Sequence, residues 1–294
     1  MSAKKAKAAT PELKKSGIVA LIGRSNVGKS TLINALVGTK IAIVTPKPQT
    51  TRQAIQGVIH DPRGQLVLVD TPGIFLTGRD RLSSKLNETA RESVKGVEAV
   101  VYVADPTRHV GDEENTVHRL VKSLPGPKFM VLNKSDMDRP FLDEYLAWKD
   151  EFNAIFEVSA FENRGLKPLV DALFDCLPTG EPLYPADRIT DIDNRFWISE
   201  VIREKVFLNT DQEVPYTVRV EVDEPEIREN GMNYIAARVI TNHERYKKML
   251  IGTRGMTVKR IGQAARKELE AVTGQKVFLD LQVEVDERWQ DRFE

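Results

Sequence analysis

Gly23-Arg24-Ser25-Asn26-Val27-Gly28-Lys29-Ser30 is the stretch from which the rest of this chain is read. Glycine, four residues, glycine, lysine and serine is the spacing of a phosphate-binding loop. Its surroundings carry the test. The apolar run Ile18-Val19-Ala20-Leu21-Ile22 before it predicts a strand buried on both faces. Thr31-Leu32-Ile33-Asn34-Ala35-Leu36-Val37 after it predicts a helix that stops near Gly38. Such a joint aims backbone N–H groups and a positive helix end at one point. Lys29 adds a full charge there, and Ser30 a hydroxyl for a hard cation.

Length allows two domains, since 294 residues can bury two cores. With 41% hydrophobic and 29% charged residues, the composition is that of an ordinary soluble globular protein. No apolar run reaches the ~18 residues of a membrane-spanning helix. Residues 1–16 hold five lysines and no apolar segment, which argues against a secretory signal. Lacking arginine, they read as a disordered basic tail rather than a transit peptide. Cys176 is the only cysteine, so no intramolecular disulfide can form. That suits a reducing cytoplasm, and Cys176 reads as a buried structural thiol. Basic and acidic residues balance at 43 each, so net charge says nothing about nucleic acid. Their distribution does. Between Asn242 and Lys267, eight basic residues stand against the single acid Glu244, an electrostatic footprint for a polyanion.

After the first helix, Lys40 to Arg52 carries Pro46 and Pro48, which exclude a regular helix or a central strand. This is a loop beside the phosphate site. Thr50 or Thr51 in it can reach a magnesium ion only when a γ-phosphate holds the loop in place, an order–disorder switch. Residues 54–60 and 65–69 predict two strands joined by the hairpin turn Asp61-Pro62-Arg63-Gly64. The second delivers Asp70-Thr71-Pro72-Gly73 to the strand end where open α/β sheets bind ligands. Asp70 can hold a metal through water, and Gly73 permits close approach to a γ-phosphate. A helix over 82–94, a strand over 98–105 and a helix over 112–124 follow. The strand 128–132 then delivers Asn133-Lys134-Ser135-Asp136 to the same edge. Asp136 can accept two hydrogen bonds from the ring N–H and amine of guanine. Adenine lacks that donor pair, and the loss costs about 1.5–3 kcal/mol. Asn133 and Lys134 can brace the neighbouring loops and cover the base. A helix over 141–152, a last strand over 154–158 ending in Ser159-Ala160-Phe161, and a helix over 166–177 complete this half. A backbone N–H of that turn can meet the guanine carbonyl. Alternating strands and helices predict a mostly parallel six-stranded sheet covered on both faces, with one antiparallel strand from the hairpin.

Three prolines and a glycine between Pro178 and Pro185 mark a short, stiff connection. Thr190 or an Asx residue can cap the helix that follows through Ile198, Val201, Ile202 and Val206. Strands are predicted over 216–222 and 234–241 with a turn at Asn230-Gly231, then a short helix over 247–250. Ile251-Gly252-Thr253-Arg254-Gly255-Met256 precedes a helix over 257–272 and a strand over 276–285. Gly252 and Gly255 allow a phosphate backbone close, Arg254 adds charge, and the next helix points its N-terminus there. Lys259 and Arg260 extend the basic face. Ile251, Val258 and Ile261 are the apolar residues around this loop, with core the better reading for Ile261.

The phosphate loop, the switch loop, Asp-x-x-Gly, Asn-Lys-x-Asp and Ser-Ala, in this order, resemble the GTP-binding domain of translation-factor-related GTPases. Asn26, Gln49-Thr50-Thr51-Arg52 and Asp70-Thr71-Pro72-Gly73-Ile74 are similar to the Era branch in particular. A Gly-x-x-Gly loop between helices in an αββααβ order resembles a bacterial-type (type II) KH RNA-binding domain, whose loop clamps about four nucleotides. Leu183-Tyr184-Pro185, Asp187, Thr190-Asp191, Arg195-Phe196, Glu200 and Arg203-Glu204-Lys205 extend the likeness through the linker. The implied layout is a tail over 1–16, a GTP-binding domain over 17–178, a linker over 179–194 and a KH domain over 195–290.

The resemblance implies a GTP site made of Gly23, Arg24, Ser25, Asn26, Val27, Gly28, Lys29, Ser30 and Thr31, with Asp70, Thr71, Pro72, Gly73 and Ile74. Asn133, Lys134, Ser135, Asp136, Ser159 and Ala160 would hold the base. Ser30, Thr51 and Asp70 would serve magnesium, with Thr51 preferred over Thr50 on the resemblance alone. Lys29, Thr51, Gly73 and Asn26 would act in catalysis. Ras-type enzymes place a water-orienting glutamine after the motif's glycine. Here Ile74 stands there, and the resemblance suggests a potassium ion held by Asn26 and switch-loop backbone instead. It implies RNA contacts from Ile251, Gly252, Thr253, Arg254, Gly255, Lys259 and Arg260. It also implies binding near the 3′ end of small-subunit (16S) ribosomal RNA, a part in 30S assembly and a monomer. Location would be cytoplasmic with peripheral contact at the inner membrane. The rival readings are a GTP-binding RNA chaperone with negligible hydrolysis and a partner in RNA modification.

Overall fold

The computed structural model describes residues 14–73, 86, 88–90 and 92–292. The first domain holds β1 (Lys15–Ile22), α1 (Lys29–Val37), β2 (Ile55–Asp61), β3 (Gly64–Asp70), β4 (Ala99–Ala104), α2 (Asp112–Ser123), β5 (Lys128–Leu132), α3 (Leu142–Leu146), β6 (Ala154–Glu157) and α4 (Leu166–Cys176). Its sheet runs β2-β3-β1-β4-β5-β6, antiparallel only between β2 and β3. The apolar runs form strands because both faces are covered. Val19, Leu21, Leu66, Leu68, Val101 and Val103 pack under α1 and α4, while Ala20, Ile22, Val100, Tyr102, Met130 and Leu132 pack under α2. The period-2 alternation of strand side chains thus divides one continuous apolar sequence between two cores.

The second domain holds α5 (Asn194–Asn209), β7 (Val218–Val222), β8 (Glu226–Ile227), β9 (Asn233–Thr241), α6 (Glu244–Ile251), α7 (Met256–Thr273) and β10 (Val277–Val285). Its sheet runs β10-β9-β7, with β8 pairing β9 and β10 parallel to β9. Ile198, Val201, Ile202 and Val206 of α5 and Ile261, Ala265 and Leu269 of α7 close one core on one side of that sheet.

Several expectations shift. β1 starts at Lys15, inside the stretch read as tail, because Lys15 and Ser16 donate backbone hydrogen bonds to Arg63 O and Pro178 O. The helix expected over 141–152 ends at Leu146 and resumes as a 3-10 turn, Lys149–Glu151. There Trp148 stacks on His118 and Phe152 on Tyr102, aromatic contacts that seat the segment against α2 and β4. Of the helix expected over 82–94, residues 82–85, 87 and 91 lie outside the described residues, and residues 86, 88–90 and 92 are helical. Of the caps the sequence left open, the Asx residue Asp193 is the one used, its carboxylate accepting Phe196 N–H at 2.7 Å, so α5 begins at Asn194, the last residue of the stretch read as linker. Residues 214–217 form a 3-10 turn ahead of β7, and the two-residue β8 had no sequence signal. The connection itself is pinned to the edge strand β2. Val58 N–H donates to Ile189 O, Gln56 N–H to Asp191 Oδ1, and Tyr184 O–H to Gln56 Oε1.

Candidate nucleotide and RNA sites

The phosphate loop leaves β1 and enters α1 through Gly28, whose φ of 98° requires glycine and whose added Cβ would strike Asn133 Nδ2. Gly73 lies close enough to Ser25 that a Cβ would sit 2.9 Å from Ser25 Cα, so the third motif closes directly over the loop. Lys29 is buried, and its Nζ donates to Gly23 O and Arg24 O at 2.9 Å each. Burial pushes its pKa down, and Asp70 opposes that. Thr31 and Val27 continue the loop into α1. Thr71 Oγ1 donates to Leu21 O at 2.8 Å, which with Pro72 fixes the turn after β3. The cleft bounded by the phosphate and switch loops measures about 370 Å³ and includes Asn26, Lys29, Ser30, Thr51, Gly73 and Lys134.

Three oxygens converge beside Lys29. Ser30 Oγ donates to Asp70 Oδ2 at 2.6 Å and lies 2.9 Å from Thr51 Oγ1, and Thr51 Oγ1 donates to Asp70 Oδ2 at 3.4 Å. Asp70 is fully buried, and its Oδ1 has no hydrogen-bond partner among the described residues. Burial raises its carboxyl pKa, offset in part by Lys29 and the two hydroxyls. One buried carboxylate with an orphaned oxygen and two hydroxyls fit magnesium, which takes few protein ligands and keeps water and phosphate oxygens. Of the two threonines the sequence left open, the structure brings Thr51 to this cluster. Thr50 Oγ1 instead bonds Thr45 Oγ1 and Lys47 O within its own loop.

The base end is built from β5 and β6. Asn133 braces the loops as expected, donating Nδ2–H to Val27 O and accepting Ala160 N–H at Oδ1. That commits the Ala160 N–H, so it is not the donor left for a guanine carbonyl in this arrangement. Ser135 N–H donates to Val158 O. Asp136 is exposed, and its Oδ1 accepts the Ser159 hydroxyl at 2.5 Å, which holds its carboxyl below the ordinary range. Lys134 takes φ 61° and pairs with the buried Asp105 at 2.6 Å. Sequence reasoning missed Asp105, although an acid at the C-terminal end of β4 was a readable signal. It had also read Ser159 for its backbone, not its hydroxyl.

The Arg24 side chain turns inward, pairing with Glu114 at 2.7 Å and donating to Tyr145 Oη at 3.0 Å, which leaves its backbone to the loop. Tyr102 O–H also donates to Glu114, in a buried cluster behind the loop. Asn26 has φ 62°, and its Nδ2 donates to Pro46 O of the switch loop at 2.7 Å. Ile74 lies outside the described residues.

In the second domain, Gly252 ends α6 and Gly255 opens α7, with Thr253 and Arg254 exposed between them and Arg254 at φ 52°. Lys259 and Arg260 are exposed on the first turns of α7. Ile251 is half-buried and Ile261 is core, as expected. A glycine-bounded turn, a positive helix N-terminus and exposed cations form one surface suited to a phosphate backbone.

A phosphate-loop cleft at the strand ends of a mostly parallel sheet, joined to a Gly-x-x-Gly α+β module, is the architecture of a P-loop GTPase followed by a KH domain. Residues 18–134 match the sequence family described as 50S ribosome-binding GTPase, and residues 213–290 match the KH domain. The chain is 38% identical over 281 residues to GTPase Era of Halothermothrix orenii and 40% identical over 284 residues to that of Trichlorobacter lovleyi, covering 95% of each chain in both cases. A crystal structure of Era with MgGDPNP and nucleotides 1506–1542 of 16S ribosomal RNA superposes with a TM-score of 0.89 at 35% identity, covering 95% of this chain and 96% of that one. An Aquifex aeolicus Era variant bound to GDP and AlF4− gives 0.88 at 35% identity over the same shares. The chain belongs to the Era GTPase family.

Proposed function

We propose that this protein hydrolyses GTP to GDP and phosphate, and that the GTP state gates binding of its KH domain to small-subunit ribosomal RNA near the 3′ end during 30S assembly. The observation that carries the reading is the convergence of Ser30, Thr51 and Asp70 beside Lys29, with Asp136 at the base end. Lys29 exchanges the carbonyls of Gly23 and Arg24 for β- and γ-phosphate oxygens, which restores a full partner to a buried cation. Ser30, Thr51 and Asp70 would hold magnesium, which when bound neutralises charge on the β- and γ-oxygens. Gly73 presents its backbone to the γ-phosphate, and Asp136 selects guanine. The solved Era complex with 16S ribosomal RNA supports the choice of RNA.

With Ile74 in place of a glutamine, potassium would supply the missing charge. The side chain of Asn26 already meets the Pro46 carbonyl of the switch loop, the two groups this reading needs together. Hydrolysis is then faster in potassium than in sodium, and Asn26→Ala loses the gain. Equal rates in both salts sink the potassium assignment. Phosphate release measured with potassium and RNA present separates the GTPase from a chaperone with negligible turnover. The protein would act as a cytoplasmic monomer with peripheral contact at the inner membrane. RNA crosslinking and sequencing from cells, with wild-type and Asp136→Asn chains, tests the whole reading. Crosslinks that avoid the 3′ end of the small-subunit RNA, or that ignore Asp136→Asn, reject it.

A further inference from the structure

The switch loop is gripped from the far side by the KH domain. Arg203 of α5 is buried and forms a two-bond pair with Glu200, Nε to Oε1 at 2.6 Å and a terminal nitrogen to Oε2 at 2.5 Å. The same terminal nitrogen donates to Thr50 O at 2.5 Å. Arg52 is buried too, and among the described residues no carboxylate bonds it. Its guanidinium donates to Val218 O at 2.6 Å, Tyr216 O at 3.1 Å and Pro215 O at 3.4 Å. Its central carbon lies 5.7 Å from the Trp289 ring and 6.0 Å from that of Phe207. Burial and the neighbouring Arg203 push the Arg52 pKa down to about 9, so it remains a cation at neutral pH. The residues on either side of Thr51 are therefore both fastened to the second domain. Thr51 itself is fastened to Ser30 and Asp70 in its own domain.

We propose that Arg52 and Arg203 are positioning residues for Thr51, so that the docked KH domain forms part of the framework of the GTP state. The inference rests on the assignment of Thr51 as a magnesium ligand. Thr51 is useful to magnesium only when a γ-phosphate is present, so GDP binding needs neither Thr51 nor its supports. Moving the loop outward would pull a buried arginine from three carbonyls and two aromatic faces, or drag the KH domain with it. Docking and the GTP state consequently favour each other, and the coupling is reciprocal.

The test uses full-length protein and measures affinity for GDP and for a non-hydrolysable GTP analogue across a magnesium titration. Arg203→Ala removes a charged donor to Thr50 O, and its affinity for the analogue falls about tenfold or more. Its GDP affinity stays within about twofold, and half-saturation needs more magnesium. Arg203→Lys, which keeps a donor, recovers part of the loss. Arg52→Lys shows the same selective loss, because an ammonium cannot fork across the separate carbonyls. A merely structural role would lower both affinities together. An unchanged ratio of the two affinities in Arg203→Ala and Arg52→Lys overturns the inference, whatever happens to stability. Thr51→Ala separates the two levels. If it too leaves the ratio unchanged, the ligand assignment itself is wrong. If it alone lowers the ratio, the assignment stands and the positioning role falls.

Discussion

Asp70 and Lys29 are charges placed where burial opposes them, and the opposition has a sign that can be measured. The carboxyl of Asp70 is raised above its ordinary pKa by desolvation. A raised folded-state value stabilises at low pH and is lost as pH rises through it, so at neutral pH the ionised carboxylate costs stability. Asp70→Asn therefore raises the melting temperature of the metal-free protein, by about 2–4 °C per kcal/mol relieved, while abolishing stabilisation by magnesium and GTP together. Differential scanning calorimetry with and without magnesium checks this, and a lower metal-free melting temperature contradicts it. Asp136 runs the other way. Ser159 holds its carboxyl low, which keeps the proposed guanine acceptor ionised as pH falls. Ser159→Ala weakens GTP binding by about 2–10-fold and moves the acidic fall in affinity to higher pH. Titration calorimetry over a pH series shows it, and an unmoved acidic limb counts against a role for the hydroxyl.

At the scale of elements, the phosphate loop is backed by α2. Glu114 lies in the first turn of that helix, fully buried, and neutralises Arg24 from the loop. Glu114→Ala strands a buried guanidinium and costs about 3–5 kcal/mol, read by urea denaturation. A loss under ~1 kcal/mol would show that the cluster is not what holds the loop. The sequence exposed the elements themselves well, because buried strands leave apolar runs and helices leave acidic starts and glycine ends. Asp112, Glu113 and Glu114 marked the start of α2 plainly. That Glu114 points inward was unreadable, since its partner lies far away in the chain. The two-residue β8 and the break after Leu146 were hidden for a related reason. Each is set by contacts across the fold, β8 by β9 and the break by Trp148 and Phe152 on α2 and β4.

Across the whole molecule, two domains and their order followed from motifs, whereas their docking did not. Lys40, Arg52, Arg203, Glu204 and Glu268 look in sequence like ordinary surface charge. In the structure Lys40 meets Glu204 at 2.8 Å and Glu268 at 2.5 Å, and the arginines are buried between the domains. The RNA loop yields a sharper test than sequence alone allowed. A Cβ at Gly252 would strike Thr257 Oγ1, but at Gly255 it meets nothing within 4 Å. Gly255→Asp therefore places a negative charge on the proposed clamp without a steric clash, although a side chain in that left-handed backbone costs about 1 kcal/mol. It should reduce RNA affinity at least about tenfold in filter binding, with nucleotide affinity preserved and Gly255→Asn, which bears the same backbone strain without the charge, losing less. Retained RNA binding would move the clamp elsewhere. The strap along β2 carries one more consequence. Its last residue bonded to β2 is Asp191, Asp193 caps α5, and Ile192 between them packs against the first domain's core, so the joint between strap and α5 is two residues long. Two residues span about 7 Å. A KH domain released from the switch loop would pivot in place rather than drift on a tether, so its effective concentration at the loop stays in the millimolar range or above. Re-docking would then be governed by the geometry of the joint and not by how much protein the cell contains.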